Sequence, residues 1–311
     1  MNKLKKVGLT ALATTLVASS AYAGELSVSG SASLNYSGIS TSSDVNPWTM
    51  GDSVTFSGGG DLDNGMTVGV SYELDGGNYD DYKLTLGLGD GLGTVTFSGN
   101  SVNAGGVDMV KDIVPTAYTA VYESTNAVDN GIAAGIGGRD TTSMWGYKNS
   151  IGDLTVSLGY NQVNDTAAAG SANAESSIGL SYVMDGLQAV AGRFEDSTVA
   201  VHDTFGLKYT AGAITAAIQR TDINYDATGT NDQEAMHMGV SFAVNDSLSV
   251  SAGRQKVEID TAVDNEINTG VSASYTMGSI TIGGGFNEVT SASGAAGSDA
   301  EVTMLNLAFA F

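Results

Sequence analysis

Along most of its length this chain alternates apolar side chains with small or polar ones, and short turns rich in Gly, Asn and Asp interrupt the alternation. A period of two is typical of β-strands, whose successive side chains point to opposite faces. Gly, Asn and Asp adopt the positive φ angles that tight hairpins require. The pattern therefore argues against a helical fold and predicts an all-β protein built from consecutive antiparallel hairpins.

The turn residues mark eight hairpins along the chain. Their turns fall at positions 63–65, 90–91, 129–131, 152–153, 185–186, 211–212, 245–246 and 278. Together with an opening and a closing strand, the turn count predicts eighteen strands, with sixteen as the alternative. Longer polar segments separate the hairpins, so tight turns lie at one end of the strands and long loops at the other.

The two faces of these strands differ in chemistry. Leu154, Val156 and Leu158 lie on one face of a strand, and Thr155 and Ser157 lie on the other. Aromatic residues occupy the apolar face just before the turns, at Tyr147, Tyr182, Tyr209, Phe242 and Tyr275, and at the terminal Phe311. A membrane barrel turns an apolar face with aromatic rims toward lipid and a polar face toward water, whereas a soluble sandwich buries large apolar residues between its sheets. We therefore expect a transmembrane antiparallel β-barrel with short periplasmic turns and longer extracellular loops.

The first 23 residues have a different composition from the rest. A basic start is followed by an apolar stretch and by the small-residue pattern Ala21-Tyr22-Ala23. This arrangement is typical of a secretory signal peptide. We expect residues 1–23 to be removed by cleavage near Ala23, and residues 24–311 to form one barrel domain.

Composition narrows the possible functions. The chain has 34 acidic and 12 basic residues, a balance that argues against nucleic acid as a partner. It contains no cysteine, and its two histidines, His202 and His237, are far apart in sequence. We therefore expect neither an enzyme nor a tightly bound metal or cofactor. The exception is weakly bound Ca²⁺ at acidic loops, which carry Asp75, Asp80, Asp81, Asp222, Asp226, Asp232 and Glu234.

Taken together, these features resemble Gram-negative outer-membrane porins of the alphaproteobacterial general-porin type. The resemblance rests on a leader ending AYA, the hairpin SVTFSGGGDLDNGMTVGVSYE, the strands IGLSY and LTVSLGY, and a last strand LNLAFAF that ends in Phe311. It implies an outer-membrane homotrimer of water-filled barrels. It also implies that the barrel-assembly machinery recognises the Phe311 strand.

The same resemblance implies that a long loop folds into the barrel and constricts the pore. The corresponding loop is 100–117, which carries Asp108, Lys111 and Asp112. Counting by twos places the lysines Lys83, Lys148 and Lys208, and also His237, on the lumen face. Because porins commonly set basic wall residues against acids on the inward loop, we expect these acids and lysines to line the constriction. The alternative is that the lysines only solvate the lumen at different heights.

Three arginines share a different register. Arg193, Arg220 and Arg254 each follow the first apolar residue after a turn by six positions. That count places them on the outward face, at the loop-side edge of the apolar band, where a guanidinium can reach lipid phosphates. We expect contact with lipopolysaccharide phosphate or with a neighbouring protomer. The alternative is a strand bulge that turns the arginines into the lumen.

The function predicted from these observations is passive diffusion of small hydrophilic solutes across the outer membrane. The excess of acids predicts a preference for cations. A substrate-specific channel is the alternative, which eighteen strands would favour by analogy of fold alone. Such a channel commonly carries an aromatic or charged ladder inside, and the strand faces show no such ladder.

Overall fold

The computed structural model describes residues 26–41, 46–99, 105–123, 144–161, 174–196, 200–226 and 230–311. The predicted signal peptide with its cleavage position at Ala23 lies outside these residues, as does the predicted turn at 129–131. None of the helices in the described ranges is long and apolar enough to cross a membrane.

Sixteen strands account for most of the described residues. They are β1 (Ser27–Ile39), β2 (Trp48–Asp61), β3 (Thr67–Asp75), β4 (Asn78–Gly87), β5 (Thr94–Gly99), β6 (Met144–Ile151), β7 (Leu154–Asn161), β8 (Glu175–Met184), β9 (Leu187–Asp196), β10 (Ala200–Ala211), β11 (Ile214–Tyr225), β12 (Gln233–Ala243), β13 (Leu248–Ile259), β14 (Glu266–Met277), β15 (Ile280–Thr290) and β16 (Ala300–Ala310).

The strands form one closed antiparallel barrel in which each strand pairs with its neighbours in sequence. β16 closes the barrel against β1, with Leu34 opposite Leu307. At the end of this ladder the Gly30 N–H donates to the Phe311 carbonyl at 2.8 Å, and the Phe311 N–H donates to the Gly30 carbonyl at 2.9 Å. Closure leaves no unpaired edge facing lipid. The predicted all-β barrel is confirmed.

Short turns join the strands at one end of the barrel, at the predicted positions from 63–65 to 278 other than the one at 129–131. The turn between β8 and β9 shows why Gly and Asp occupy them, since Asp185 and Gly186 have φ angles of 47° and 83°. The strand count in the described residues is sixteen, the alternative, and not eighteen. The difference is the hairpin predicted around 129–131, because its first half, residues 117–123, contains no strand.

The two faces of the strands have the chemistry that the alternation of residues predicts. The aromatic residues Tyr182, Tyr209, Phe242, Tyr275 and Phe311 are exposed on the outer surface beside the turns. Nearer the loops, the outer surface carries Trp48, which packs edge-on against Tyr36 with ring centroids 5.1 Å apart, and Trp145, whose ring centroid lies 4.9 Å from that of Phe97. The outer surface therefore has an aromatic rim at both edges of its apolar band.

Several acids that we placed in loops belong to strands. Asp75 ends β3, and Asp80 and Asp81 lie in β4, because the two-residue turn of Gly76 and Gly77 is shorter than the predicted loop. Asp222 lies in β11 and Glu234 in β12. Because these acids lie in strands, each side chain faces either the lumen or the outer surface and contacts its neighbours on that face.

The largest buried apolar cluster of the described residues lies inside the barrel. It joins Val107, Val110 and Ile113, from the connection between β5 and β6, to wall residues of β9, β12 and β13: Val190, Phe194, Ala235 and Val257. A barrel with an entirely wet lumen would have no such cluster. Part of the connection between β5 and β6 therefore packs against the inner wall.

Candidate functional site

The described part of the β5–β6 connection, residues 105–123, lies inside the barrel, and we call it the inward segment. It begins with a single 3₁₀ turn, Gly106–Met109. The Gly106 N–H donates to Ser157 Oγ of β7 at 2.6 Å. Ser157 belongs to the small polar face of the strands, so the segment lies on the lumen side of the wall.

Gln219 of β11 holds the middle of the inward segment. Its side-chain oxygen accepts from the Ile113 N–H at 2.9 Å. Its side-chain nitrogen donates to the carbonyls of Val110 and Lys111 at 2.8 and 2.9 Å. Gln219 is 1% exposed, so these bonds form away from water and replace most of the hydration that the amide loses.

Three further wall side chains hold the rest of the inward segment. Ser251 Oγ of β13 accepts from the Ala117 N–H at 2.9 Å, and Ser272 Oγ of β14 accepts from the Tyr118 N–H at 3.1 Å. Asn287 of β15 donates to the Ala120 carbonyl at 2.8 Å. The described residues of the segment therefore follow the inner wall from β7 to β15.

Glycines on the covered wall make room for the inward segment. A Cβ added at Gly192 would lie 2.6 Å from Val107 Cγ2, and one at Gly206 would lie 2.7 Å from Ile113 Cδ1. On later strands, a Cβ at Gly239 or Gly285 would lie 2.7 Å from Val114 Cγ1 or 2.6 Å from Thr119 Cγ2. These separations are too short for real atoms, so the small lumen-facing residues accommodate polypeptide as well as water.

The acids predicted for the constriction lie on the inward segment, and their side chains are 29% exposed at Asp108 and 26% exposed at Asp112. Asp108 forms an ion pair with Lys111 at 2.5 Å. Asp112 accepts from the Tyr122 hydroxyl at 2.5 Å and from the Val114 N–H at 3.1 Å. Glu123, which the sequence argument missed, accepts from the Thr119 hydroxyl at 2.7 Å. The predicted hairpin concealed Glu123 because it assigned this residue to a strand.

Burial of the Tyr118 ring inside the barrel raises the pKa of its hydroxyl, and the nearby Glu123 carboxylate raises this pKa further. Tyr118 is therefore a neutral hydrogen-bonding group at physiological pH.

His237 lies on the lumen face of β12, behind the inward segment. Its ring packs edge-on against Tyr122, with ring centroids 5.4 Å apart, and its Nδ1 lies 4.0 Å from Asp112 Oδ1. The imidazole is 1% exposed. His237 therefore belongs to the wall that supports Asp112 and does not itself line the open lumen.

The three predicted lysines point into the barrel, but they lie on three different strands: Lys83 on β4, Lys148 on β6 and Lys208 on β10. Lys148 is opposite Ser157, at the height where the inward segment begins. Lys208 lies two residues closer to the turns than Gly206, and Lys83 is opposite Ser98 on the far wall. Of the six residues predicted for the constriction, the ion pairs of the described residues join only Asp108 and Lys111.

The arginines lie on the outer surface, and two of them are paired with carboxylates. Arg193 forms an ion pair with Asp203 at 3.4 Å. Arg220 pairs with Asp222 at 2.7 Å and with Glu234 at 3.0 Å. Arg254 has no ion-pair partner among the described residues. The sequence did not reveal these pairs, because Asp222 and Glu234 lie in stretches that it predicts as loops.

Across the described ranges, no group of three or more His, Cys, Asp or Glu side chains is placed to hold a metal ion.

Comparison with known proteins identifies the family. The profile of the Gram-negative porins matches residues 8–311, so this chain belongs to the Gram-negative porin family. No curated protein matches the sequence significantly.

Solved structures with the same fold come from several bacteria. A loop-deletion variant of OmpT, an outer-membrane protein of Vibrio cholerae, is 14% identical with a TM-score of 0.69, and the alignment covers 93% of this chain and 99% of that one. An anion-selective porin from Comamonas acidovorans is 14% identical with a TM-score of 0.68, covering 93% and 100%. A variant of Rh. blastica porin is 14% identical with a TM-score of 0.65, covering 92% and 100%.

Family and fold together define the protein as an outer-membrane porin. It is a non-enzymatic channel for passive diffusion across the outer membrane of a Gram-negative bacterium. The functional site is therefore the lumen, and among the described residues the inward segment occupies it.

Proposed function

We propose that this porin is a cation-preferring channel for small hydrophilic solutes, constricted by the inward segment. The described residues of the segment cover the wall from β7 to β15, and we place the passage for solutes on the side of the segment that faces away from this wall. Selectivity then depends on the charges that the segment presents to this passage.

The observation that carries the cation preference is the pairing of charges on the inward segment. Asp108 and Lys111 neutralise each other. The Asp112 and Glu123 carboxylates accept hydrogen bonds from hydroxyl groups, and neither has a Lys or Arg partner among the described residues. Two uncompensated negative charges therefore border the passage, where they attract cations and repel anions.

A reversal-potential measurement in a planar bilayer under a KCl gradient tests this proposal. The native channel should give a cation-selective potential, and a double variant, Asp112→Asn with Glu123→Gln, should shift the potential toward zero. We expect each neutralised carboxylate to lower the ratio of cation to anion permeability about twofold, the effect of one unit charge roughly 10 Å away in water, and the double variant therefore to lower it about fourfold.

A matched control is the double variant Glu288→Gln with Glu301→Gln, which removes two charges from neighbouring positions on the outer surface. Its selectivity should equal that of the native channel. An equal shift in both double variants would show that overall charge, not the inward segment, sets the selectivity. A very small conductance blocked by one solute would instead favour a substrate-specific channel.

Assembly and the finer classification are part of the same proposal. We infer a homotrimer of the alphaproteobacterial general-porin type, in line with the sequence resemblance. Light scattering of the detergent-solubilised protein tests the oligomeric state, and a monomeric mass in a conducting preparation would contradict it.

A further inference from the structure

Four carboxylates form a row across the outer surface near the loops. Asp203 of β10 is opposite Asp222 of β11, Asp222 is opposite Glu234 of β12, and Glu234 is opposite Glu258 of β13. Neighbouring members of the row therefore lie on adjacent strands, about 4.8 Å apart in the hydrogen-bonding direction. Like charges at this spacing repel unless bases compensate them.

Three bases on the same surface compensate the row. Arg193 pairs with Asp203, and Arg220 pairs with both Asp222 and Glu234. Lys256 pairs with Glu258. Each of the four carboxylates thus has a basic partner, and these three bases are engaged within the protein.

Arg254 is the fourth base, and its surroundings differ. It lies on β13 two residues closer to the turns than Lys256, so it faces outward below the acidic row. Its cross-strand neighbours are Met238 and Thr269, neither of which is charged. Among the described residues it has no ion-pair partner, so its exposed guanidinium is available to an external anion.

Directly below Arg254 the outer surface forms an apolar groove of about 610 Å³. Its floor consists of Ala252, Ala273 and Gly284, and larger residues border it: Val240, Phe242, Val271 and Phe286. Ala252 precedes Arg254 by two positions on the same face of β13. A cation therefore stands at the loop-side end of an apolar groove that faces the membrane.

We propose that Arg254 and this groove bind one phosphorylated glycolipid of the outer leaflet, with an acyl chain in the groove and a phosphate on the guanidinium. The order of polarity along β13, apolar toward the turns and cationic toward the loops, matches a lipid lying parallel to the strand. The long loops of such barrels face the cell exterior, so the headgroup at Arg254 belongs to the outer leaflet. A second barrel is a poorer occupant, because it would bury an unpaired guanidinium.

Native mass spectrometry of the detergent-purified barrel with added bisphosphorylated lipid A tests the site. Arg254→Gln should weaken lipid A binding about fivefold, the effect of one basic residue beside anionic headgroups. Ala252→Phe, which fills the groove floor without changing charge, should weaken it as well. Arg193→Gln is the matched control and should bind like the native protein, since Arg193 is engaged by Asp203.

Equal losses in Arg254→Gln and Arg193→Gln would overturn the proposal, because binding would then follow net charge alone. Phosphatidylglycerol binding as tightly as lipid A, with the same dependence on Arg254, would overturn the glycolipid as the occupant. Conductance and ion selectivity should be unchanged in all three variants. The lipid-site proposal can therefore be wrong while the channel proposal holds, and the reverse.

Discussion

Gln219 is the side chain on which the position of the inward segment most depends. One amide contacts three backbone groups of the segment, and its nitrogen also lies 2.7 Å from Thr204 Oγ1, so its two hydrogens are shared among three acceptors. A glutamine on the polar face of a strand looks like an ordinary lumen residue in the sequence. Its role depends on a segment about a hundred residues earlier in the chain, and local periodicity carries no information about such a contact.

We expect Gln219→Leu to release the middle of the inward segment, because the Val110 and Lys111 carbonyls and the Ile113 N–H lose their partner. Each buried group left without a partner costs about 1–3 kcal/mol unless it moves into water. Since the native chain has no cysteine, a thiol introduced by Val110→Cys reports on release through its rate of modification by a water-soluble reagent. That rate should rise in the Gln219→Leu background.

The control for this prediction is Gln188→Leu. Gln188 also faces the lumen, but its side chain donates to Ser181 Oγ at 2.9 Å, on the wall itself. The reaction rate of the introduced thiol should not change in that background. A rate that is equally slow in all three backgrounds would contradict the anchoring role of Gln219.

At the scale of elements, the inward segment is the part of the fold whose structure the sequence predicted least well. Four consecutive residues, 119–122, are buried here, whereas successive side chains of a barrel strand face opposite sides. The period of two in the sequence does not show which surface the side chains meet. For this reason the sequence predicted an extra hairpin, whereas the seven turns between described strands were located correctly.

The path of the inward segment predicts which cysteine pairs can be linked. Ala117→Cys combined with Ser251→Cys should form a disulfide in the folded barrel, since the Ala117 N–H already lies 2.9 Å from Ser251 Oγ. Conductance should be nearly unchanged, because the link fixes the segment where it already lies. The shift in electrophoretic mobility on reduction measures the link.

A control pair joins the same segment position to a more distant strand. Ala117→Cys with Ser31→Cys places the second thiol on β1, four strands around the barrel from the β13 position of Ser251. It should remain reduced under the same oxidant. Similar yields of the two disulfides would show that the segment moves freely across the lumen.

At the scale of the whole molecule, stability depends on closing the sheet. The final residue contributes two backbone hydrogen bonds to the junction of β1 and β16, and its ring covers Gly30. The alternating terminal strand was readable from the sequence, because its apolar face must meet lipid while its edge must be paired. The pairing register, with Leu34 opposite Leu307, depends on distant parts of the chain and was not readable.

Deleting Phe311 should lower the yield of folded barrel more than Phe311→Ala does, because only the deletion removes the two closing hydrogen bonds. Heat-modifiable mobility on gels after refolding in detergent measures this yield. We propose that the barrel-assembly machinery reads the terminal aromatic ring, so both variants should assemble poorly in cells. Equal refolding yields of the two variants in detergent would show that these backbone bonds contribute little.

The path of the inward segment also has a consequence for the order of events during biogenesis. The segment lies early in the chain, yet the wall side chains that bond it, from Ser157 to Asn287, all come later. The last of these anchors has no place until β15 has joined the sheet. The described anchors of the segment can therefore all be in place only after β15 has joined the sheet, so complete docking of the segment is a late step of folding.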